Sequence, residues 1–220
     1  RRFVTEHDLQ KQILAAVSIA DPDQPATVEE ASGRIRELFL RGAISDEISE
    51  EIRWAYSRLG EGDLPVAVRS SATAEDLPGA SFAGQQETYL NIQGAESILE
   101  AVRKCWASLW TARAIVYRLR QGIPPDCVAL AVVVQLLVPA EAAGILFTAD
   151  PVSGLRDRVM ISASWGLGEA VVGGLVTPDS LTVEMASGRV LDRQTSDKQV
   201  MTVRTANATE EQPVPEALRQ

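Results

Sequence analysis

The chain has 220 residues, of which 45% are hydrophobic and 23% are charged, and its formal net charge at pH 7 is -9. This length suits one sizeable hydrophobic core or two small lobes. The acidic balance argues against nucleic acid or an anionic membrane surface as the main partner, because both are bound by clustered lysine and arginine. We therefore expect any bound anion to be held by a few locally placed groups.

The opening residues and the cysteines indicate the cellular compartment. No run approaches the roughly 18 apolar residues of a membrane span, and RRFVTEHDLQ lacks the apolar stretch of a secretory signal. We expect no membrane partner and a cytoplasmic location. The two cysteines, Cys105 and Cys127, support neither a disulfide framework nor a zinc site, and we expect both to be reduced, buried thiols.

The first 60 residues are predicted to be helical. Apolar residues recur at helix spacing in three segments, at 9–17, 28–38 and 48–59. The string ADPDQPA separates the first two segments, and Gly42 fits the end of the second. We assign no chemistry to these helices.

A pair of short strands follows this helical region. VAVR at 66–69 is β-branched, and ETYLNI at 87–92 alternates, which places Thr88, Leu90 and Ile92 on one side of the strand. Both segments are typical of a sheet.

The rest of the chain mixes one long helix with further strands. A single helix is predicted over 95–121, where apolar residues keep helix spacing until Gly122. VALAVVVQLLV at 128–138 is predicted to be a central strand covered on both faces. Later apolar runs separated by glycine, proline and aspartate predict more strands. The predicted fold class is therefore α+β, with the helices first.

The segment RSSATAEDLPGASFAG at 69–84 is unusually rich in hydroxyl groups and glycine. Glycine lets the backbone approach a ligand closely, and Arg69, which we place at the end of the first strand, offers a guanidinium with bidentate reach. Such a set suits a polyphosphate. It is not a P-loop, because it contains no lysine. The alternative is a solvated crossover in which Arg69 pairs with Glu75 or Asp76.

Two later strings are weaker signals. WGLGEAVVGG at 165–174 lacks the third glycine of a dinucleotide fingerprint, so we interpret it as a packing turn, with Glu169 as a candidate site residue. Asp150, in TADPVSG, could lie near phosphates or a metal, but a turn-forming role before proline is favoured.

Four long strings resemble one enzyme family: VAVRSSATAEDLPGASFAGQQETYLNI, CWASLWTARAIVYRLRQG, GILFTADPVSG and SWGLGEAVVGGLVTPD. They are similar, in order over about residues 60 to 200, to the nucleotide-binding domain of the pyruvate, water dikinase (phosphoenolpyruvate synthase) family. They also resemble rifampin phosphotransferase and, more distantly, pyruvate, phosphate dikinase. The resemblance implies an ATP-grasp-like two-lobed nucleotide-binding domain, whose lobes close on ATP.

The resemblance also implies site residues for ATP. Arg69 matches the family arginine that contacts the ATP phosphates, and Gly84 matches a backbone position of the loop that covers them. Thr88 matches a nearby nucleotide contact on the following strand. Gln135 matches the residue at the adenine end, in the hinge between the lobes, although from the residues alone it is a polar group at a strand end.

The resemblance divides the chain into two parts. Residues 1–138 correspond to a helical N-terminal segment plus the first ATP-grasp lobe, with the phosphate loop at 69–84. Residues 139–220 correspond to part of the second lobe. The family's phosphate-binding lysine precedes the matched region, and its magnesium ligands follow it. We therefore expect the chain to be a domain fragment, incomplete at both ends, with the Mg²⁺ ligands in a segment beyond residue 220.

The expected function is that of the ATP-binding portion of a pyruvate, water dikinase-like phosphotransferase. In the family, phosphoryl passes from ATP to a phosphohistidine on a separate domain and then to pyruvate on an acceptor-binding domain of the same parent chain. His7, the one histidine here, lies outside any motif. We therefore expect no catalytic or metal residue in this fragment and no activity from it alone. Two alternatives stay open: a rifampin-type antibiotic phosphotransferase and a non-catalytic nucleotide-binding module.

Overall fold

A computed structural model describes residues 1–72, 87–206 and 208–219. The chain divides into two compact units, Arg1–Leu137 and Val138–Gln220. Long helices and a small sheet form the first unit, and strands dominate the second. The predicted mixture of helix and sheet, with the helices first, is confirmed.

The first unit begins with helices that pack around apolar side chains spaced three and four residues apart. Their bounds are α1 (Arg2–Glu6), α2 (Gln10–Ser18), α3 (Pro25–Arg41) and α4 (Asp46–Ser57). α3 starts at a proline, which is favoured in the first helical turn because its missing N–H has no intrahelical partner there. Val28, Ile35 and Phe39 of α3 are buried in the core.

The prediction of one helix over 95–121 is wrong, because the chain breaks this segment into α5 (Ala95–Ser108) and α6 (Ala112–Gln121). Thr111 has an extended backbone, with φ -63° and ψ 152°, and so α6 starts afresh after it. Leu109 and Trp110, at the break, are buried. The break therefore buries two large side chains that a continuous helix would carry around to different faces.

Among the described residues of the first unit, a three-stranded antiparallel sheet follows the order β2-β1-β3. The strands are β1 (Val66–Ala72), β2 (Thr88–Ile92) and β3 (Leu130–Leu136). Side chains of β1 that face α5, including Val66 and Val68, are fully buried with Ile98 and Cys105. One face of the sheet is therefore covered by helix.

The prediction of a central, doubly covered strand at 128–138 is wrong. β3 is an edge strand among the described residues, and β1 is the central one. In β3, partly buried and exposed residues alternate up to Gln135, and Val133 is 45% exposed. A continuous apolar run cannot by itself distinguish a doubly covered strand from one with a single covered face.

The second unit is mainly antiparallel sheet. β4, β5, β6 and β7 form one four-stranded sheet in that order, and β8 pairs with β9. The bounds are β4 (Ala142–Phe147), β5 (Arg158–Trp165), α7 (Glu169–Val172), β6 (Asp179–Glu184), β7 (Val190–Gln194), β8 (Val200–Arg204) and β9 (Thr209–Pro213). Among the described residues, no helix combines the length and low polarity that crossing a membrane requires.

A tight turn joins β5 to α7 and touches β8, as the packing-turn interpretation of WGLGEAVVGG predicts. Gly166 has φ +81°, a region that favours glycine, and its N–H donates to the Glu141 carbonyl at 2.7 Å. A Cβ built on Gly166 would lie 2.3 Å from the carbonyl oxygen of Thr202. Only glycine fits here without a shift of the backbone.

We expect Gly166→Ala to destabilise the chain by about 1 to 3 kcal/mol, because it adds a steric clash with a backbone oxygen to the conformational cost. Chemical denaturation of the two proteins measures this difference. Gly174→Ala is the matched control, since Gly174 has φ +68° but open space around its Cβ position. Equal losses from both substitutions would contradict the close-contact explanation.

Candidate functional site

Arg69 lies in the middle of β1, not at its end as predicted, because the strand continues to Ala72. It pairs with Thr88 of β2 on one side and with Val133 of β3 on the other. Residues directly opposite each other in antiparallel strands project from the same face of the sheet. Arg69, Thr88 and Val133 are all exposed, so this face is the one that α5 leaves uncovered.

Gln135 belongs to the same face. It pairs with Ala67, which is two residues from Arg69 along β1 and therefore on the same side of the strand. Gln135 is exposed, and its position is diagonal to Arg69, at a Cα separation of about 7 to 8 Å for such neighbours. The register thus brings three of the four predicted site residues, Arg69, Thr88 and Gln135, onto one surface, which we call the open face.

A β-bulge in β2 determines which residues reach the open face. Val66 pairs with Ile92, but Val68 pairs with Tyr89, so Leu90 and Asn91 together stand opposite Ala67. Asn91 adopts φ 56°, a left-handed conformation that asparagine tolerates better than most residues.

The bulge makes the predicted alternation of β2 wrong. Tyr89 and Ile92 both pack against the core cluster under the sheet, although they are three residues apart. Thr88 therefore projects from the face opposite to Ile92, on the same side as Arg69.

The structure partly describes the hydroxyl-rich segment that the sequence singled out. Gly84 lies outside the described residues. Of the two serines in β1, Ser71 is exposed and lies on the open face two residues beyond Arg69. Ser70 points to the opposite side, where its hydroxyl donates to the Glu87 carbonyl at 3.3 Å.

Sequence reasoning missed the apolar part of the open face. Val133 lies directly beside Arg69 and two residues before Gln135 on β3, with Ala131 a further two residues back, opposite Ser71. The signal was present, because residues that share a strand face recur with period two. Starting from Gln135, that period leads to Val133 and Ala131.

The core side of the sheet holds its ionisable groups in uncharged or paired form. The Tyr89 hydroxyl donates a hydrogen bond to the Glu87 carboxylate. The pKa of Tyr89 is raised, mainly by burial and secondly by this hydrogen bond. Burial, and secondarily Glu87, also raises the pKa of the Cys105 thiol to about 12, and this thiol donates to the Val68 carbonyl at 3.8 Å. Cys105 is thus a buried thiol as predicted, whereas Cys127 is exposed, contrary to prediction.

We expect Cys105→Ala to lower the free energy of unfolding by about 1 to 2 kcal/mol, because it leaves a small cavity behind the sheet. Nucleotide affinity should be unchanged, since the side chain faces away from Arg69. Denaturation and titration calorimetry measure the two quantities. The exposed Cys127→Ala is the control, with a stability change within about 0.5 kcal/mol. A loss of nucleotide affinity in folded Cys105→Ala would contradict this placement.

The two acidic candidates in the second unit each accept hydrogen bonds from groups of that unit. The carboxylate of Asp150 accepts hydrogen bonds from Val152 N at 2.8 Å and from the Ser153 hydroxyl at 2.6 Å, which closes the turn and confirms the turn interpretation. The Ser153 hydroxyl is the main cause of a lowered pKa for Asp150. Glu169 begins α7, and its carboxylate accepts from the Thr209 hydroxyl at 3.3 Å.

A buried ion pair joins β6 to the segment before β8. Lys198 Nζ donates to Asp179 Oδ1 at 2.6 Å and to the Ser196 carbonyl at 2.9 Å. The side chain of Lys198 is 3% exposed and that of Asp179 is 25% exposed. Burial alone raises the pKa of Asp179, but hydrogen bonds from Lys198 and Ser196 N together outweigh it, so the pKa lies below its ordinary value.

Metal-ligating side chains do not converge in the part of the chain that the structure describes, where no group of three His, Cys, Asp or Glu residues could hold a metal ion. The open face itself offers a guanidinium, hydroxyl groups and an amide beside an exposed valine. Such groups suit the phosphates and base of a nucleotide better than a bare cation.

Comparison with known protein families matches the whole chain, residues 1–220, to "Pyruvate phosphate dikinase, AMP/ATP-binding domain". The chain belongs to this family. Family membership confirms the predicted resemblance and identifies the chain as part of an ATP-binding domain.

Individual relatives of this AMP/ATP-binding domain agree with the family match. The chain is 48% identical over 200 residues to a phosphoenolpyruvate synthase of Pyrococcus furiosus, which covers 89% of this chain and 24% of the relative. It is 43% identical over 222 residues to a probable phosphoenolpyruvate synthase of Methanothermobacter thermautotrophicus. That match covers 99% of this chain and 32% of the relative. A rifampicin phosphotransferase of Streptomyces is 47% identical over 198 residues, a match that covers 90% of this chain and 22% of the relative. The chain thus spans about a quarter to a third of the length of these curated relatives.

Proposed function

We propose that this chain is the ATP-binding portion of a phosphoenolpyruvate synthase-like phosphotransferase. Phosphoryl would pass from ATP to a histidine on a separate domain of the parent chain and from there to pyruvate on an acceptor-binding domain. The observation that carries the proposal is the family match over all 220 residues. We also propose the finer ATP-grasp arrangement, with residues 1–138 belonging to the first lobe and 139–220 to the second.

The open face is the proposed nucleotide contact of the first unit. Arg69 would donate charge-assisted hydrogen bonds to the phosphates, and Thr88, directly across from it, would add a hydroxyl. Gln135 would bind the base edge, with Val133 supplying apolar contact between the two ends. From Arg69 through Val133 to Gln135, a charged, an apolar and a polar group thus follow one another, which suits the phosphates at one end of a nucleotide and the base edge at the other.

Magnesium is proposed as a companion of the nucleotide, and not as a resident of this chain. Mg²⁺ usually keeps several waters and is bound through substrate phosphates and one or two carboxylates. Among the described residues, no group of three His, Cys, Asp or Glu residues could hold a metal ion by itself. From the family resemblance we propose that its protein ligands lie outside the described residues, and we assign Arg69 and Thr88 only to the phosphates.

Calorimetric titration of the chain with Mg-ATP tests the proposal. We expect saturable binding that Thr88→Val weakens and that ADP reproduces at lower affinity, because fewer phosphate contacts remain. Binding that does not distinguish ATP from ADP, or that is unchanged in Thr88→Val, would count against the open face as the phosphate contact. No saturable heat at millimolar Mg-ATP would show that this chain alone is not a nucleotide-binding unit.

A second candidate, the ATP-binding domain of a rifampicin phosphotransferase, is favoured by the relative at 47% identity. The acceptor distinguishes the two enzymes. Incubation of the parent protein with Mg-ATP and either pyruvate or rifampicin, followed by mass spectrometry, would reveal which compound gains phosphoryl. Phosphorylated rifampicin without phosphoenolpyruvate would favour this candidate.

A further inference from the structure

The open face of the first unit continues past Arg69 to Ser71. Ser71 lies two residues further along β1, on the same side of the strand, and is exposed. Its partner on β3 is Ala131, which is also exposed and ends in a methyl group. In the part of the chain that the structure describes, the Ser71 hydroxyl has no hydrogen-bond partner. This hydroxyl is therefore available to a ligand that approaches the open face.

The neighbouring serine of β1 faces the protein instead. Ser70 projects from the opposite side of the strand, where its hydroxyl donates to the Glu87 carbonyl at 3.3 Å. The pairing of β1 with β3 continues past both serines to Ala72. The Ser71 side chain is thus carried by a paired strand, which restricts its position before any ligand binds and lowers the entropy that binding costs.

The charges around Ser71 suit an anionic ligand, although the chain as a whole is acidic. The chain has 30 Asp and Glu residues. None of them occupies the open-face positions of the two paired strands, which are 67, 69 and 71 on β1 and 131, 133 and 135 on β3. Arg69 is the charged residue among these six. A phosphate near Ser71 is therefore attracted by a guanidinium and meets no carboxylate from these positions.

Strand geometry sets the order of the polar groups along the open face. Gln135 stands beside Ala67, at one end of this order. Arg69 follows two residues later on β1, and Ser71 follows two residues after that. At about 3.3 Å per residue, Ser71 lies about 7 Å beyond Arg69 and about 13 Å beyond the level of Gln135. In a nucleotide the base, the sugar and the successive phosphates also follow in line, so a base edge at Gln135 puts the last phosphate nearest Ser71.

We propose that Ser71 is a specificity-determining residue that binds the terminal phosphate of the nucleotide. The inference rests on the proposed function, because it takes the base to lie at Gln135 and the phosphates to lie at Arg69. The Ser71 hydroxyl donates one hydrogen bond to an oxygen of the γ-phosphate. Because ADP has no third phosphate, this contact favours ATP over ADP, whereas a contact nearer the base serves both nucleotides.

Calorimetric titration of the chain with Mg-ATP and with Mg-ADP tests the assignment. Ser71→Ala should weaken ATP binding about 5- to 20-fold and leave ADP binding nearly unchanged, because only ATP loses a hydrogen bond. Ser71→Thr keeps a hydroxyl on a side chain that suits a strand, and it should retain most of the preference for ATP. Ser70→Ala is the matched control, since Ser70 faces away from the open face, and it should leave the ratio of the two affinities unchanged.

Phosphorus NMR of bound Mg-ATP locates the contact directly. Ser71→Ala should move the resonance of the γ-phosphorus and leave that of the α-phosphorus in place. Equal losses of ATP and ADP affinity in Ser71→Ala, or unchanged ATP affinity, would overturn the assignment. If Thr88→Val still weakens ATP binding in that case, the proposed function stands without Ser71. No saturable binding of ATP by the unsubstituted chain would refute the proposed function and this inference together.

Discussion

Replacing Arg69 with alanine is expected to weaken Mg-ATP binding by about 2 to 4 kcal/mol, a factor of roughly 30 to 900 in Kd. Arg69 is the proposed source of charge-assisted hydrogen bonds to the phosphates on the open face. Its side chain is exposed, so its removal creates no core cavity and the fold should be retained. Titration calorimetry gives the affinity, and circular dichroism checks the fold.

The matched control for Arg69→Ala is Arg53→Ala. Arg53 is an exposed arginine of the same unit whose guanidinium pairs with Glu96, and it belongs to α4 and not to the sheet. It tests whether the loss of any positive charge from this acidic chain weakens the binding of an anionic ligand. Equal loss of affinity in both variants would indicate a general charge effect, and wild-type affinity in Arg69→Ala would refute the phosphate role.

Replacing Asp179 with alanine is expected to lower the free energy of unfolding by about 3 to 5 kcal/mol. The substitution leaves the buried ammonium of Lys198 with the Ser196 carbonyl as its recorded hydrogen-bond partner. An unpaired buried cation costs far more than the ion pair gains, because desolvation is no longer offset. Urea denaturation at pH 7, followed by circular dichroism, measures the loss.

A second substitution distinguishes the ion pair from a mere packing defect. Adding Lys198→Met to Asp179→Ala should restore part of the lost stability, since it removes the unpaired charge and keeps most of the side-chain volume. Asp157→Ala, which removes the ion-pair partner of Arg158 in the same unit, should change stability little, because the Asp157 side chain is 66% exposed. No recovery in the double variant would contradict an electrostatic origin.

The Asp179 ion pair also predicts a pH dependence. Its pKa is lower in the folded chain than its ordinary value, so its stabilising contribution is fully present above the unfolded pKa of about 4. That contribution is lost as the pH falls through the lower folded pKa. The stability difference between the unsubstituted chain and Asp179→Asn should therefore be constant from pH 5 to 7 and shrink below about pH 4.

Sequence strings were sufficient to predict the family, the mixed fold and the candidate residues of the open face. Their side-by-side placement was not predictable from local patterns. Arg69 was expected at a strand end, because the serines after it are common in turns, yet pairing with β3 extends the strand to Ala72. Inter-strand pairing is a tertiary effect, and it overrides the local preference of short polar residues.

The predictions for elements further along the chain were wrong for related reasons. In 95–121 the apolar periodicity continues through the break, because Leu109 fits the apolar pattern of one long helix as well as that of two helices. Only the burial of Trp110 favours the turn, and burial is not visible in the pattern. The apolar run of β3 could not reveal that one of its faces is left open by α5. Local pattern gave the type of each element, and packing decided its extent.

Because of the bulge at Asn91, β2 contains one residue more than its pairing with β1 requires. Because Leu90 and Asn91 together stand opposite Ala67, deleting one of them would leave a single residue there and restore regular pairing, with Tyr89 still opposite Val68. Thr88 would stay beside Arg69, and Tyr89 and Ile92, then two residues apart, would both stay on the core side. Deleting both residues would instead join Tyr89 directly to Ile92 and force one of these core residues onto the open face. In a library of natural or engineered relatives, paired deletions here should therefore be lost far more often than single deletions.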